Sequence, residues 1–405
     1  MKAYNLVLAA LLAFSFLCHA AIFWIEKDHI VSGYGDFIIF YTGAQAVNAG
    51  HGAELYDLSQ QAKLQGQFSV DIRQGPLPYN HLPYEILLFL PLAKMAYPHA
   101  YGVWTLVNLL LLYGIYRLLL PFVDPKHKIL VAGLLIAFYP TAAALLQGQD
   151  SILSTFLMAA VFASLKKQRN GTAGILLAMG LYKPQLVLPL AALLSLKRRW
   201  RAVFAFAATA TVLALISFAI VGWTGFVNFF HLLSWLDRSN YTIFPASMAN
   251  IRGLAEIFMG RLDSSFRLSN LLLLMIYVPL FAWAVVLWKG EWDPAKAVFD
   301  LGFCHLAVTA LLLSHHLYVH DLMLLVIPLV LMLNYALAGR THAMSVRVGF
   351  LTLVLLFYCS IAGIWLLKQN LFAWVAVALL VFALIVAKEI QLTRKAEDLV
   401  GASVA

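Results

Sequence analysis

The chain has 405 residues, 62% of them hydrophobic and only 12% charged. Soluble domains run near a quarter charged, and no polar block here is large enough for a separate water-soluble domain, so one integrated membrane body over 1–405 is expected. The net charge of +9 does not argue for nucleic acid, because Lys and Arg fall in small clusters between apolar runs, as cytoplasmic loops facing anionic lipid do.

Met1-Lys2 precedes an uncharged run over 4–25. That run is too long for the roughly 7–15-residue core of a cleaved signal peptide, and Cys18-His19-Ala20 is a poor cleavage site, so a retained signal-anchor helix is expected. A membrane-spanning helix needs about 20 apolar residues. Further qualifying runs cover 95–116, 129–149, 202–236, 268–288, 301–320, 322–339, 348–367 and 369–387, with shorter ones at 151–165, 170–182 and 184–196. Gly222-Trp223 is expected to end the membrane part of the 202–236 run. Cys18, Cys304 and Cys359 lie inside apolar spans and form no CxxC pair.

Cation placement sets the orientation. With Lys2 inside, the segment 26–96 is external, and the clusters Lys166-Lys167-Arg169 and Lys197-Arg198-Arg199-Arg201 fall inside. In this arrangement 18 of the 28 Lys and Arg are cytoplasmic. Treating 170–196 as one helix would put the second cluster outside, so two short helices meeting near Lys183-Pro184 are expected. The fold class is therefore all-α, a polytopic bundle of about twelve spans in a cell (inner) membrane with both termini cytoplasmic. By the same parity 83–92 is a re-entrant or interfacial piece.

Two external segments exceed what a connector needs. The first, 26–96, carries an amphipathic helix pattern over 36–49 closed by Gly50, a second over 56–68, and Pro/Gly-rich turns at 75–78. The second, 223–267, has an aromatic-rich stretch over 226–235 and a helix pattern over 246–259. Both read as interfacial helices.

The polar groups at the external ends of spans come from distant parts of the chain: Asp36, Gln147-Gly148-Gln149-Asp150, Tyr182-Lys183-Pro184-Gln185, Arg252, Ser314-His315-His316 and His320-Asp321. Their convergence on one face implies a shared cavity. Asp36 reads either as a helix N-cap or as a partly buried carboxylate basic enough to take a proton from a hydroxyl. Lys183 needs a counter-anion, either a lipid phosphate or Asp150 or Asp321. Arg252 is a further phosphate candidate or a solvated interfacial residue. His316 and His320 stand at i, i+4, a spacing known from metal sites; with no third ligand nearby, hydrogen bonding to phosphate or sugar explains them equally. Gln147 and Gln149 suit orientation of a sugar or acceptor, or a helix cap. Nucleotide-binding and hydrolase motifs (GxxxxGK[ST], GxGxxG, GxSxG) are absent, so an activated substrate would come from the bilayer.

The order of several motifs resembles glycosyltransferase family 87 of the GT-C superfamily, which includes polyprenol-phosphate-mannose-dependent alpha-mannosyltransferases. They are Gly35-Asp36-Phe37 with Tyr41, Leu55-Tyr56-Asp57, Tyr79 to Pro83 with Pro91-Leu92, Gln147-Gly148-Gln149, Gly180 to Gln185 and Arg198-Arg199-Trp200-Arg201. Where the family often has a tyrosine followed by two prolines, this chain reads Tyr79-Asn80-His81-Leu82-Pro83. The resemblance implies a polyprenyl-phosphate sugar donor, a lipid or glycan acceptor on the periplasmic or extracellular side, and Asp36 as base. Single displacement inverts the anomeric centre, so one carboxylate suffices where retaining hydrolases use two. Lys183, His315, His316 and Arg252 would meet the donor phosphate. Tyr41, Gln147, Gln149, Gln185, His320 and Asp321 would contact sugar or acceptor. No cofactor or metal is required if these cations supply the charge. The rivals are a transporter or flippase of a lipid-linked saccharide, which would place its ionisable groups at mid-membrane and contain repeats, and a periplasmic glycan ligase, which would ask for more external arginines.

Overall fold

The computed structural model describes residues 2–68, 76–239, 244–258 and 266–404, and every regular element among them is helical. In chain order the α-helices are α1 (Lys2–Val31), α2 (Phe37–Asn48), α3 (Leu58–Gln65), α4 (Tyr97–Leu119), α5 (Lys128–Ala137) and α6 (Tyr139–Gln147). Next come α7 (Ser151–Lys166), α8 (Asn170–Met179), α9 (Pro184–Leu196), α10 (Trp200–Ser239), α11 (Ile251–Phe258) and α12 (Phe266–Val286). The chain ends with α13 (Ala297–Leu313), α14 (Val326–Leu337), α15 (Met344–Phe357), α16 (Ser360–Lys368) and α17 (Val375–Val404). Short 3-10 segments join several of them, notably Pro83–Leu88 and Val319–Leu325.

Among the described residues five helices are long and apolar enough to cross a membrane, or seven if each of two bent pairs counts as one span. The bent pairs turn by 46° between α5 and α6 and by 64° between α15 and α16. Shorter apolar helices cover Ser151–Lys166, Pro184–Leu196, Leu271–Val286 and Ala297–Leu313. The expected count of about twelve is larger chiefly because it included these shorter apolar helices as spans, and apolarity alone does not register helix length or a bend. Pro140 stands just beyond the α5–α6 break, where its ring clashes with the preceding turn. Helix α10 breaks at Gly222, whose φ of +62° suits glycine, at the position where the membrane part was expected to end.

The span Val319–Leu337 is wholly buried and forms the centre of the bundle, whereas only 6% of the most apolar stretch of Trp200–Leu236 is buried. A single large apolar core joins α1, α4 to α9 and α12 to α17. Exposed Leu, Phe and Val side chains on α1, α4 and α10 offer lipid the apolar surface that water would reject.

The first long segment builds a core of its own. Phe40 stacks on Phe89 with ring centroids 4.6 Å apart, and Phe89 meets Trp104 at 4.7 Å. The distal part of α10 closes this core, with Leu232 and Leu236 buried in it and Phe229 against Tyr56 at 5.0 Å. Helix α2 matches the expected 36–49 pattern, ending before Gly50 at φ +82°. Helix α3 is shorter than 56–68, because Asp57 caps it by accepting from the Ser59 amide at 2.7 Å. The turn expected at 75–78 begins at Gly75, outside the described residues. The helix expected over 246–259 appears as α11, and Met259 also lies outside them.

Candidate active site

The Gly35-Asp36 turn and the Gln147-Gly148-Gln149 turn dock against each other. A Cβ on Gly35 would stand 3.2 Å from the Gln147 carbonyl oxygen, and one on Gly148 would stand 2.6 Å from the Phe37 Cβ. Gly148 also has φ +64° and closes α6, with its carbonyl accepting from Trp104 Nε1 at 2.9 Å. Both positions therefore need glycine. Gly148→Ala is expected to cost about 1–3 kcal/mol through overpacking and backbone strain, read as a lower thermal unfolding midpoint of the purified protein.

That docking decides what Asp36 does. Its backbone is already helical, at φ −67° and ψ −13°, and the side chain makes no capping bond to α2. Capping residues normally sit in the extended region so that the carboxylate reaches back over the first amides. Instead, Oδ2 accepts from Gln149 Nε2 at 2.8 Å, 113 residues away. Oδ1 accepts no hydrogen bond among the described residues. The neighbouring amide, Gln147, places its Oε1 2.7 Å from His320 Nδ1. One tight turn thus presents one glutamine to Asp36 and the other to His320.

Lys183 is 5% exposed and lies at the break between α8 and α9. Its ammonium meets Asp150 Oδ1 at 2.6 Å, Asp321 Oδ1 at 2.6 Å and Ser151 Oγ at 2.8 Å. It donates hydrogen bonds to Asp321 and Ser151 and forms an ion pair with Asp150. Both aspartates that were alternatives to a phosphate bind it together, so in this structure Lys183 serves as a brace between them. Asp321 also accepts from Ser151 Oγ at 3.1 Å and from the Tyr318 amide at 3.3 Å. Asp321 and His320 are each 7% exposed.

The brace continues into residues the sequence analysis did not single out. His81 Nδ1 lies 2.6 Å from Glu85 Oε2 and 3.3 Å from Asp150 Oδ2. His81, Glu85 and Asp150 form the group of potential metal-ligating side chains found among the described residues, with one donor atom from each within 4.8 Å of the others. His320 is engaged with Gln147 rather than paired with His316 over a metal. The signal for the missed cluster was Glu85, a lone carboxylate in the apolar stretch 82–92, where an isolated charge requires a partner.

Charge in this dry cluster is set by neighbours working against burial. Burial disfavours the His81 imidazolium, yet Glu85 and Asp150 outweigh it and lift its pKa to about 10. Burial raises Glu85 to about 8, opposed by His81 and aided by Asp150. Asp150 is held well below the usual carboxylate range, since Lys183 and His81 overcome its burial. Lys183 is raised despite burial, by Asp150 and Asp321.

A second cationic group gathers where α11 meets the loop after α13. Arg252, 5% exposed, bonds Glu256 Oε1 through Nε at 2.7 Å and meets His315 Nε2 through a terminal nitrogen. The His315 and His316 rings are perpendicular at 4.8 Å. Asn250 ties the two segments by donating to the Ser314 carbonyl at 2.6 Å. Tyr318 lies between this group and Asp36. Burial pushes its phenol up to about 12, with Arg252 pulling down and both Asp321 and Asp36 pushing up.

Two further expected contact residues make no hydrogen bond to Asp36, Gln149 or Lys183 among the described residues. Tyr41 is buried, and its hydroxyl donates to the Met95 carbonyl at 2.7 Å, closing the first segment's core. Gln185 is half-buried at the start of α9 and makes no side-chain hydrogen bond among the described residues.

A family model, glycosyltransferase family 87, matches residues 82–315, more than half of the chain. The matched stretch contains Glu85, Gln147, Gln149, Asp150, Lys183, Arg252 and His315, and Asp36 precedes it. No curated protein and no solved structure matches the chain.

Proposed function

The chain belongs to glycosyltransferase family 87, and from that premise we propose that it transfers a hexose, mannose, from a polyprenyl-phosphate donor to an acceptor hydroxyl with Asp36 as general base. The observation that carries this is the Asp36 carboxylate itself. It precedes a helix that it does not cap, is held by Gln149, and keeps Oδ1 clear of hydrogen bonds among the described residues. A carboxylate fixed in this way is suited to take the proton of an attacking hydroxyl.

In the proposed step, the acceptor oxygen bonds to the anomeric carbon from the face opposite the phosphate. The bond from that carbon to the phosphate oxygen breaks, the hydroxyl proton passes to Asp36, and polyprenyl phosphate leaves with inverted stereochemistry at the sugar. Arg252 and His315, with His316 beside them, meet the charge that develops on the leaving phosphate. Gln147 and His320, held to each other at 2.7 Å, would contact the sugar or the acceptor. The distribution of Lys and Arg supports placing this end of the bundle on the non-cytoplasmic face.

The test supplies radiolabelled polyprenyl-phosphate mannose, and separately the glucose analogue, to membranes containing the protein. Transfer from the mannose donor to a membrane or glycan product is expected; transfer from the glucose donor alone sinks the sugar assignment, and transfer from neither sinks the donor class. Gln149→Ala removes a hydrogen bond to a charged group, worth about 1.5–3 kcal/mol. It is expected to lower kcat by roughly 10- to 100-fold with little change in KM.

A further inference from the structure

The buried end of the brace gathers three carboxylates around two basic side chains. Three carboxylates, Asp150, Glu85 and Asp321, are joined through contacts of 3.3 Å or less to a single ammonium, Lys183, and to the imidazole of His81. Asp150 is fully buried and Glu85 is 1% exposed. Glu85 Oε1 is buried and receives no hydrogen bond from any donor among the described residues. Asp150 Oδ1 and Oδ2, in ion pairs with Lys183 and His81, are also buried and receive no hydrogen bond among the described residues, and buried carboxylate oxygens left without donors require compensation.

We infer that His81, Glu85 and Asp150 form a binding site for one divalent first-row cation, Zn²⁺ or Mn²⁺. His81 Nδ1, Glu85 Oε2 and Asp150 Oδ2 converge on one point, at 2.6 and 3.3 Å from the imidazole nitrogen. A tetrahedral ion with bonds of about 2.1 Å sets its donor atoms about 3.4 Å apart, close to the 3.3 Å between His81 and Asp150 and wider than the 2.6 Å between His81 and Glu85. The mixed set of one nitrogen and two oxygens favours a borderline ion over Ca²⁺, which takes six to eight oxygens. The imidazole is already aimed. Tyr56 donates to the His81 carbonyl at 2.8 Å, the Tyr182 ring stacks over the imidazole at 6.4 Å, and Phe40 meets it edge-on at 5.3 Å. Outer groups that orient a ligating histidine in this way strengthen a metal site. The His81 side chain keeps 16% of its surface exposed, which leaves an entry path and a position for a fourth, non-protein ligand.

Two ligands come from the first long segment and the third from the turn between α6 and α7, so the cation clamps that segment to the bundle beside Lys183. The inference does not depend on the proposed sugar transfer.

The full chain, purified in detergent and stripped with EDTA, is titrated calorimetrically with ZnCl₂, MnCl₂ and CaCl₂. One equivalent of Zn²⁺ or Mn²⁺ is expected to bind and to raise the thermal unfolding midpoint, and Ca²⁺ is not. Glu85→Gln is expected to abolish that equivalent and His316→Ala to retain it. Wild-type protein that binds neither Zn²⁺ nor Mn²⁺, or a Glu85→Gln protein that binds as wild type does, overturns the inference. Should Glu85→Gln fail to fold, X-ray absorption of the loaded wild type decides. One imidazole among oxygen ligands supports the site, and two or more imidazoles overturn it.

Discussion

Asp36→Asn is expected to lower the rate of sugar transfer by roughly 10²–10⁴-fold, the usual contribution of a positioned general base, while KM for the donor stays within a few-fold. Asparagine keeps the size of the side chain and an oxygen for Gln149 Nε2, which now lies 2.8 Å from Oδ2. What is lost is the ability to accept a proton. Because Asp36 makes no cap bond to α2, the substitution is expected to leave the thermal unfolding midpoint almost unchanged. Initial rates with a labelled polyprenyl-phosphate donor, paired with a melting curve, separate the possibilities. Equal transfer by both proteins would remove Asp36 as base. A large fall in the melting midpoint would instead return it to a structural part.

Lys183→Met is expected to destabilise the protein by about 3–5 kcal/mol, the cost of breaking a buried ion pair from one side. The substitution leaves Asp150, 0% exposed, and Asp321, 7% exposed, facing each other without the ammonium that meets both at 2.6 Å. The triple replacement Lys183→Met, Asp150→Asn, Asp321→Asn removes the charges together and is expected to recover much of the lost stability. Thermal unfolding in detergent reads both. A lysine whose purpose is to hold a donor phosphate would behave oppositely, with the midpoint preserved and the rate reduced. Asp150 feels two opposing pulls, since burial raises its pKa while Lys183 and His81 hold it well below the usual range. Removing Lys183 takes away the stronger of these two cationic influences, so Asp150 is where the strain of the single variant should concentrate.

The two long segments have a shared consequence. Phe40, Phe89 and Trp104 pack a core that the distal half of α10 covers through Phe229, Leu232 and Leu236. Helix α11 and the loop after α13 are joined separately through Asn250 and Arg252. Asp36 therefore stands on the edge of a packed layer, with Gln149 fixed behind it and Tyr318 between it and the Arg252 group.

Much of this was legible before any coordinates. Apolar run length and cation clustering identify a membrane bundle, because lipid accepts only helices whose backbone bonds are internal. The ends of α2, the break near Lys183 and the kink at Gly222 follow from glycine, proline and charge, which act over a few residues. The same local rules counted bent runs as whole spans, since a bend such as the 46° turn after α5 leaves apolarity unchanged.

Partner choice was decided only by the tertiary structure. The sequence by itself placed Asp36, Gln149, Lys183, Asp321 and Arg252 at the ends of spans, and it left each with a capping or pairing alternative. Lys183 reaches Asp321 across 138 positions, and Asp36 reaches Gln149 across 113; no periodicity carries information over that distance. The docking of Gly35 on the Gln147 carbonyl and of Gly148 on Phe37 accompanies the turning of Asp36 away from its helix, and the α8–α9 break set Lys183 between two aspartates. His81 and Glu85 joined the same cluster because a 3-10 segment of the first loop is buried against it. A buried charge takes whichever partners the packed backbone brings within about 4 Å, where Coulomb attraction in a dry interior outweighs any local preference.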